Sequence, residues 1–339
     1  MAPRKLIKIT FPFLLLAGLY FLGPSADQAQ YDLAMPTVPA SADQLNAYVS
    51  SQEQRHKLKP DNEARIVWAD SARVKTPYAI VYLHGFSACQ KEGDPVHRRI
   101  AKAFGSNLYL SRLSDHGIDT TETLQFFTAE RVWESAKEAL AIGEAIGEKV
   151  ILVSTSTGGT LALKLAAEYP ERIHALINLS PNIAINNPAA FLLNDPWGLQ
   201  IARMVMGGKY RETGAADEKS QYWNNKYRLE AVVELQELVE STMTDETFSR
   251  VKQPSLTLYY YKDEQHQDPE VKVSAMLEMH KKLGTPESLK VAKAIPNAGA
   301  HVIGGALASN DVETVYLEME KFLSETVHVT KAPLAEIKQ

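Results

Sequence analysis

The sequence contains a single cysteine, Cys89, among its 339 residues. One cysteine excludes an intramolecular disulfide and any zinc or iron–sulfur site that needs several thiolate ligands, so we interpret Cys89 as a structural residue. The chain also lacks a long basic run, and its net charge of −5 and pI near 6.0 are modest. These features argue against a nucleic-acid partner.

Motifs for metal-dependent hydrolysis are also missing. The chain has no His-x-x-x-His pair and no clustered carboxylate motif, so no metal and no other cofactor is expected. Internal repeats and low-complexity tracts are absent as well. The hydrophobic fraction of 45% and the charged fraction of 23% are typical of a globular protein.

The N-terminal 26 residues have a hydrophobic pattern of their own. A basic flank of Arg4, Lys5 and Lys8 precedes an uncharged, apolar segment at residues 9–22. This layout is typical of a secretory signal peptide, and as a helix the apolar segment would span about 21 Å, less than the ~30 Å hydrocarbon core. We predict export to the periplasm or the extracellular space, with an uncleaved membrane anchor as the alternative. Residues 27–63 are interpreted as a linker with a short helix.

Apolar runs rich in β-forming residues alternate with helical patterns in the rest of the chain. Strands are predicted at residues 78–83, 107–113, 149–154, 173–179, 255–261 and 289–295, and helices at residues 94–104, 129–146 and 157–168. This alternation indicates an α/β fold with a mostly parallel sheet and helices on both faces. Residues 182–253 hold helical patterns but no strand candidate, so we predict a helical insertion between core segments 64–181 and 254–327.

A strand, a turn of small residues and a helix follow one another around Ser156. Such a turn, usually Gly-x-Ser-x-Gly, exposes a nucleophilic serine hydroxyl. Here Ser154 replaces the first glycine and Gly158 provides the second, and serine is small enough for the turn. The alternative is that Ser156 only caps the helix.

A serine nucleophile requires a base, usually a histidine oriented by a carboxylate. His301 follows the sixth predicted strand and is the candidate base. Asp263 lies two residues after the fifth predicted strand and is the preferred orienting acid. Asp268 is the alternative, and Glu264 is less favoured.

Acyl transfer also requires hydrogen-bond donors for the oxyanion. Gly85 follows the first predicted strand and allows the Phe86 N–H to point toward Ser156. The Thr157 N–H, at a helix start where the dipole favours negative charge, is the second candidate donor. Residues 115–117, Asp-His-Gly, are interpreted as a structural loop beside the site.

In this order the motifs resemble the α/β-hydrolase-fold enzymes of the monoacylglycerol lipase, carboxylesterase and serine aminopeptidase group, over about residues 64–325. The resemblance implies a helical cap at residues 182–253 above the site. It also implies catalytic and oxyanion roles for a set of residues: Ser156, Asp263 and His301 as the triad, Phe86 and Thr157 as the donors.

We therefore predict a serine hydrolase that cleaves short- or medium-chain esters or monoglycerides. Its partner would be a small acyl-ester or lipid-like substrate, and the N-terminal segment would allow membrane association. A peptidase, a thioesterase or an acyltransferase would use the same triad, and a non-catalytic binding module would use the same fold. Apolar residues of the insertion would either line an acyl pocket or pack the cap onto the core: Phe191, Leu192, Leu193, Trp197 and Trp223.

Overall fold

A computed structural model describes residues 18–214 and 218–333 of the chain. Its central sheet has seven strands in the order β1-β3-β2-β4-β5-β8-β11. The strands of this sheet are β1 (Arg65–Val67), β2 (Thr76–Leu83), β3 (Asn107–Leu110), β4 (Gly147–Thr155), β5 (Ile173–Leu179), β8 (Ser255–Tyr259) and β11 (Lys290–Ala294). β1 is antiparallel to β3, and every other neighbouring pair is parallel. The predicted α/β class and mostly parallel sheet are confirmed.

Helices lie on both faces of this sheet and in the insertion at residues 182–253. They are α1 (Ala42–Glu53), α2 (Val96–Ala103), α3 (Ala129–Ile146), α4 (Thr157–Glu168), α5 (Gly198–Met206), α6 (Leu229–Thr242), α7 (Asp245–Arg250), α8 (Val273–Lys282) and α9 (Val312–Lys321). A π-helical turn, Phe322–Thr326, follows α9.

Side-chain alternation along the buried strands separates two hydrophobic cores. In β2, Ile80 and Tyr82 belong to the core under α2 and α9, while Val81 and Leu83 belong to the core under α3, α4 and α8. Successive strand residues point to opposite faces, and all four side chains are fully buried. A parallel strand covered on both faces therefore has a continuous apolar sequence.

Several elements differ from the sequence prediction. α3 and α4 have the predicted bounds, but β1 was not predicted because three residues are too few for a periodic pattern. The strand predicted at residues 255–261 ends at Tyr259 instead. The chain then forms a hairpin of β9 (Tyr261–Asp263) and β10 (His266–Gln267).

The insertion at residues 182–253 contains α5, α6 and α7, together with a strand pair that the sequence did not suggest. β6 (Tyr210–Glu212) pairs antiparallel with β7 (Lys226–Arg228). The prediction that this region has no strand was therefore wrong. The insertion contacts the loop after β2, where the Asn224 N–H donates to the Ser87 carbonyl at 2.8 Å.

Residues 27–40, which the composition predicts to be mainly linker, lie against α3 and the end of α4. The Trp133 indole donates to the Asp32 carbonyl at 2.7 Å, the Lys137 ammonium to the Ala34 carbonyl at 2.7 Å, and the Tyr169 hydroxyl to the Leu33 carbonyl at 2.9 Å. Most of the predicted signal segment lies outside the described residues. Within the ranges that the structure describes, no helix is long and apolar enough to cross a membrane.

Candidate active site

Ser156 lies in the sharp turn between β4 and α4, at the carboxyl end of the parallel strands. Its backbone has φ 54° and ψ −118°, a conformation that a non-glycine residue adopts only at a cost of about 1–3 kcal/mol. Within the described part of the chain its hydroxyl makes no capping hydrogen bond to α4, which disfavours the helix-cap interpretation. The side chain is half-buried between buried neighbours, Thr155 and Thr157.

The residues two positions from Ser156 show why this turn needs small side chains. A methyl group at Gly158 would lie 2.0 Å from the Leu83 carbonyl oxygen, so no side chain fits there. Ser154 is fully buried, and its hydroxyl donates to the Asn178 amide oxygen on β5 at 2.8 Å. A serine therefore fits at the usual glycine position, because its buried hydroxyl is hydrogen-bonded to a side chain of the neighbouring strand.

His301 lies in the loop after β11, and its partner is Asp268. The His301 Nδ1 atom and the Asp268 Oδ2 atom are 2.7 Å apart, and the two side chains are 13% and 0% exposed. The other carboxylate oxygen accepts from the N–H groups of Glu270 and Val271. Burial alone would lower the pKa of His301, but the charge and hydrogen bond of Asp268 outweigh it, and the pKa is raised.

The structure does not place Asp263, the preferred acid in the sequence analysis, against His301. Asp263 lies at the end of β9, 45% exposed, and binds His266 Nδ1 at 2.7 Å. Its Oδ1 atom also accepts from the N–H groups of Gln265 and His266 and so closes the β9–β10 turn. Because the chain folds back in this hairpin, the Asp268 N–H bonds to the Tyr260 carbonyl at the end of β8. Asp268, the sequence alternative, therefore occupies the position expected for Asp263.

His84 and Gly85 orient the loop after β2. The Leu113 N–H donates to His84 Nε2 at 2.9 Å, so the imidazole proton is on Nδ1, which donates to the Gly85 carbonyl at 2.9 Å. Burial lowers the pKa of His84 well below its usual range, so the ring stays neutral. In a planar trans peptide the N–H points opposite to the C=O, and the Phe86 N–H therefore points away from His84.

Two backbone N–H groups next to Ser156 have no acceptor among the described residues, those of Phe86 and Thr157. Thr157 is fully buried and Phe86 is half-buried. The loops that carry them are in contact, because a methyl group at Gly85 would lie 3.0 Å from the Ser156 Cβ atom. Backbone N–H groups in folded proteins are usually paired, so two that have no acceptor in the protein are suited to an anionic oxygen.

The Phe86 ring is held by aromatic residues from three segments. Its centroid lies 6.0 Å from that of His116, 5.2 Å from that of Phe127 and 5.2 Å from that of Tyr227 in the insertion. Asp115, the neighbour of His116, forms a two-bond pair with Arg131 at 2.9 and 3.0 Å. The Asp-His-Gly loop thus supports the Phe86 side chain, in line with its interpretation as structural.

Two of the predicted acyl-pocket residues of the insertion, Phe191 and Trp197, are exposed. Phe191 is 56% exposed, and Trp197 contacts the N-terminal segment. The Trp197 backbone N–H donates to the Pro24 carbonyl at 2.8 Å, and its indole donates to the Leu19 carbonyl at 3.1 Å. For Trp197 the packing role is the one that the structure supports.

Glu92 is a site residue that the sequence analysis missed. It lies in the 3₁₀ turn Gln90–Gly93, only 2% exposed, and its carboxyl group accepts the Gly85 N–H. A glutamate in a polar stretch is usually exposed, and nothing in the local pattern indicates burial.

A family profile described as alpha/beta hydrolase fold matches residues 78–270, more than half of the chain. No curated protein sequence shows significant similarity to it. Among solved structures, the chain is similar to a metagenome-derived lipolytic enzyme of the pair LipS and LipT. The TM-score is 0.61 at 19% identity, over 79% of this chain and 99% of that one.

Two monoacylglycerol lipases are also similar in structure. For the enzyme of Paleococcus ferrophilus the TM-score is 0.57 at 14% identity, over 79% of this chain and all of that one. The second is a soluble variant of the Saccharomyces cerevisiae monoglyceride lipase, solved with a substrate analog. Its TM-score is 0.58 at 12% identity, over 80% of this chain and 92% of that one. At such identities the likeness shows the fold alone.

Proposed function

Since the chain belongs to the α/β-hydrolase fold family, we propose that it is a serine hydrolase that cleaves carboxylic esters, with Ser156 as nucleophile, His301 as base and Asp268 as orienting carboxylate. One observation carries this proposal. The buried His301–Asp268 pair and the strained Ser156 turn lie on loops at the same end of the sheet. In open α/β sheets, ligands bind beyond the carboxyl ends of the strands.

The proposed reaction begins when His301 Nε2 accepts the Ser156 hydroxyl proton as the oxygen attacks the acyl carbonyl. The Phe86 and Thr157 N–H groups stabilise the oxyanion, which collapses to the acyl-enzyme while His301 protonates the departing alcohol. Water, activated by His301, then releases the acid and restores the serine. Each oxyanion donor would contribute on the order of 3 kcal/mol to the barrier reduction.

Asp268 has two tasks in this scheme. Its hydrogen bond to Nδ1 keeps the His301 proton on that nitrogen and leaves Nε2 free to accept. Its negative charge stabilises the imidazolium that forms during attack. Because Asp268 is fully buried and also accepts two backbone N–H bonds, its carboxylate is fixed in place.

For the substrate we propose small acyl esters or monoglycerides. The support is that similar structures include a lipolytic enzyme and two monoacylglycerol lipases. A series of p-nitrophenyl esters of increasing acyl length, run beside amino-acid amides, tests the choice. A clear optimum among the esters is expected. A preference for the amides would identify a peptidase instead.

The nucleophile is tested with a fluorophosphonate probe, which labels activated serines. The wild type and Ser154→Ala should be labelled, since the Ser154 hydroxyl is bonded to Asn178, while Ser156→Ala should not. Ester turnover in Ser156→Ala should fall on the order of 10⁶-fold in kcat. Labelling of Ser156→Ala, or no labelling of the wild type, would refute the assignment.

We also propose that the N-terminal segment directs export or anchors the protein to a membrane. The support is the basic flank followed by the apolar residues 9–22. Cell fractionation with N-terminal sequencing tests this. Intact protein that begins at Met1 in the soluble cytosolic fraction would contradict it.

A further inference from the structure

A second carboxyl group is buried beside the candidate site. Glu92 is 2% exposed, and its Oε1 atom accepts from the Gly85 N–H and, at 3.3 Å, from the Tyr82 hydroxyl. A methyl group at Gly85 would lie 3.3 Å from each Glu92 oxygen and 3.0 Å from the Ser156 Cβ atom. A single backbone residue therefore separates this carboxyl group from the proposed nucleophile.

Glu92 also connects the other loops of the site. The Tyr82 hydroxyl that contacts it lies 2.9 Å from the hydroxyl of Thr155, the residue before Ser156. A methyl group at Gly305, in the His301 loop, would lie 1.9 Å from the Glu92 carbonyl oxygen. The turn that carries Glu92 is thus packed between the Ser156 turn and the His301 loop.

The surroundings of Glu92 disfavour its ionised form. Burial raises the pKa of Glu92 to about 8, although the Gly85 hydrogen bond and the charge of His301 lower it. The titratable side chains packed around it are Tyr82 of β2, Cys89 just before the same turn, His97 of α2 and His301. Burial raises the pKa of Tyr82, whose hydroxyl stays neutral, and lowers that of His97 to about 4, so its ring carries no positive charge. His301 already faces the Asp268 carboxylate.

We propose that Glu92 is a positioning residue for the ester hydrolysis proposed above: its neutral carboxyl group holds the Gly85 N–H and so sets the direction of the Phe86 N–H. His84 holds the carbonyl of the same glycine, so Gly85 is fixed on both sides. This inference depends on the proposed function, because the Phe86 N–H matters only if an oxyanion forms there.

The protonation state of Glu92 then affects the rate. In the neutral form the carboxyl oxygen accepts from Gly85 without placing a charge near the reacting carbonyl. When Glu92 loses its proton at alkaline pH, its negative charge lies one residue from the forming oxyanion and opposes it at low dielectric. The rate constant kcat should therefore fall at alkaline pH.

Two substitutions distinguish the effect of the Glu92 hydrogen bond to Gly85 from the effect of the Glu92 charge. Glu92→Gln keeps an oxygen acceptor for Gly85 and cannot ionise, while Glu92→Leu fills the space but leaves the Gly85 N–H unpaired. We would measure kcat and KM for a p-nitrophenyl ester across the neutral and alkaline range, with fluorophosphonate labelling of each variant. Glu92→Gln should stay within a few-fold of the wild type at neutral pH and lack its alkaline decline. Glu92→Leu should lose at least about tenfold in kcat with KM little changed.

The outcomes distinguish this inference from the proposed function. If the wild type is not labelled, the serine-hydrolase assignment fails. If it is labelled and active but Glu92→Gln has the same alkaline decline, the role of Glu92 is refuted. Wild-type kcat in folded Glu92→Leu would refute it as well. Should Glu92→Leu not fold, the pH profile of Glu92→Gln decides alone.

Discussion

Two aspartate–histidine pairs in this protein have the same Nδ1–Oδ distance of 2.7 Å and very different surroundings. In the hairpin pair, Asp263 and His266 are 45% and 61% exposed; in the buried pair, Asp268 and His301 are 0% and 13% exposed. Water and salt screen the exposed pair, and such pairs contribute little. Burial, rather than hydrogen-bond length, is what distinguishes a pair that can hold an imidazole in one orientation.

The two carboxylates also differ in the sequence separation between each aspartate and the residues that it binds. Asp263 binds the N–H groups of Gln265 and His266, two and three residues away, and so stabilises its own turn. Asp268 binds a histidine 33 residues away, on a different loop. The first carboxylate therefore supports local structure, whereas the second joins two segments that must meet for catalysis.

The largest difference between the two pairs should come from removing each negative charge. Asp268→Asn should lower kcat about 10⁴-fold, because the amide cannot stabilise the imidazolium and favours the wrong tautomer of His301. Steady-state ester hydrolysis measures this. Asp263→Asn is the matched control, and equal effects of the two substitutions would contradict the assignment.

The two pairs should also differ, by a smaller amount, in their effect on the pH dependence of kcat/KM. The raised pKa of His301 means that its imidazole stays protonated, and unable to accept the serine proton, up to a higher pH than an unperturbed histidine would. kcat/KM should thus rise about tenfold per pH unit on the acid side until the pH passes that pKa, before the alkaline decline expected from Glu92. Asp263→Asn should leave this midpoint unchanged. A midpoint below the usual histidine range would contradict the raised pKa.

The local parts of this architecture could be predicted from sequence. The bounds of α3 and α4 follow from helical periodicity, and Ser156 and Gly158 follow from a short motif. The fold class follows from the alternation of strands and helices. Each of these inferences depends on residues that are close together in the chain.

The choice of acid could not be predicted, because it depends on where the chain turns. Tyr-Tyr-Tyr at residues 259–261 resembles one continuous strand, yet β8 ends at Tyr259 and the hairpin carries Asp263 outward. Glu92 could not be predicted either, since its burial arises from contacts with Gly85 and the Gly305 loop, seven and 213 residues away. Such contacts have no local signal.

The smallest effect on activity is expected from the hairpin pair itself. In Asp263→Asn the side chain keeps one oxygen that can accept the Gln265 and His266 N–H groups, but the negative charge that favours the hydrogen bond to the His266 ring is lost. kcat should change less than about twofold, as for most exposed positions.

The local effect of the same substitution should still be measurable. Amide hydrogen exchange at Gln265 and His266 should become faster, because the two N–H groups lose a charged acceptor, while exchange at Glu270 and Val271, which bind Asp268, should not change. Faster exchange at both pairs would mean that the hairpin and the buried pair are coupled. In that case the hydrogen bonds of Asp263 within its own turn and those of Asp268 to a distant loop would not be independent of each other.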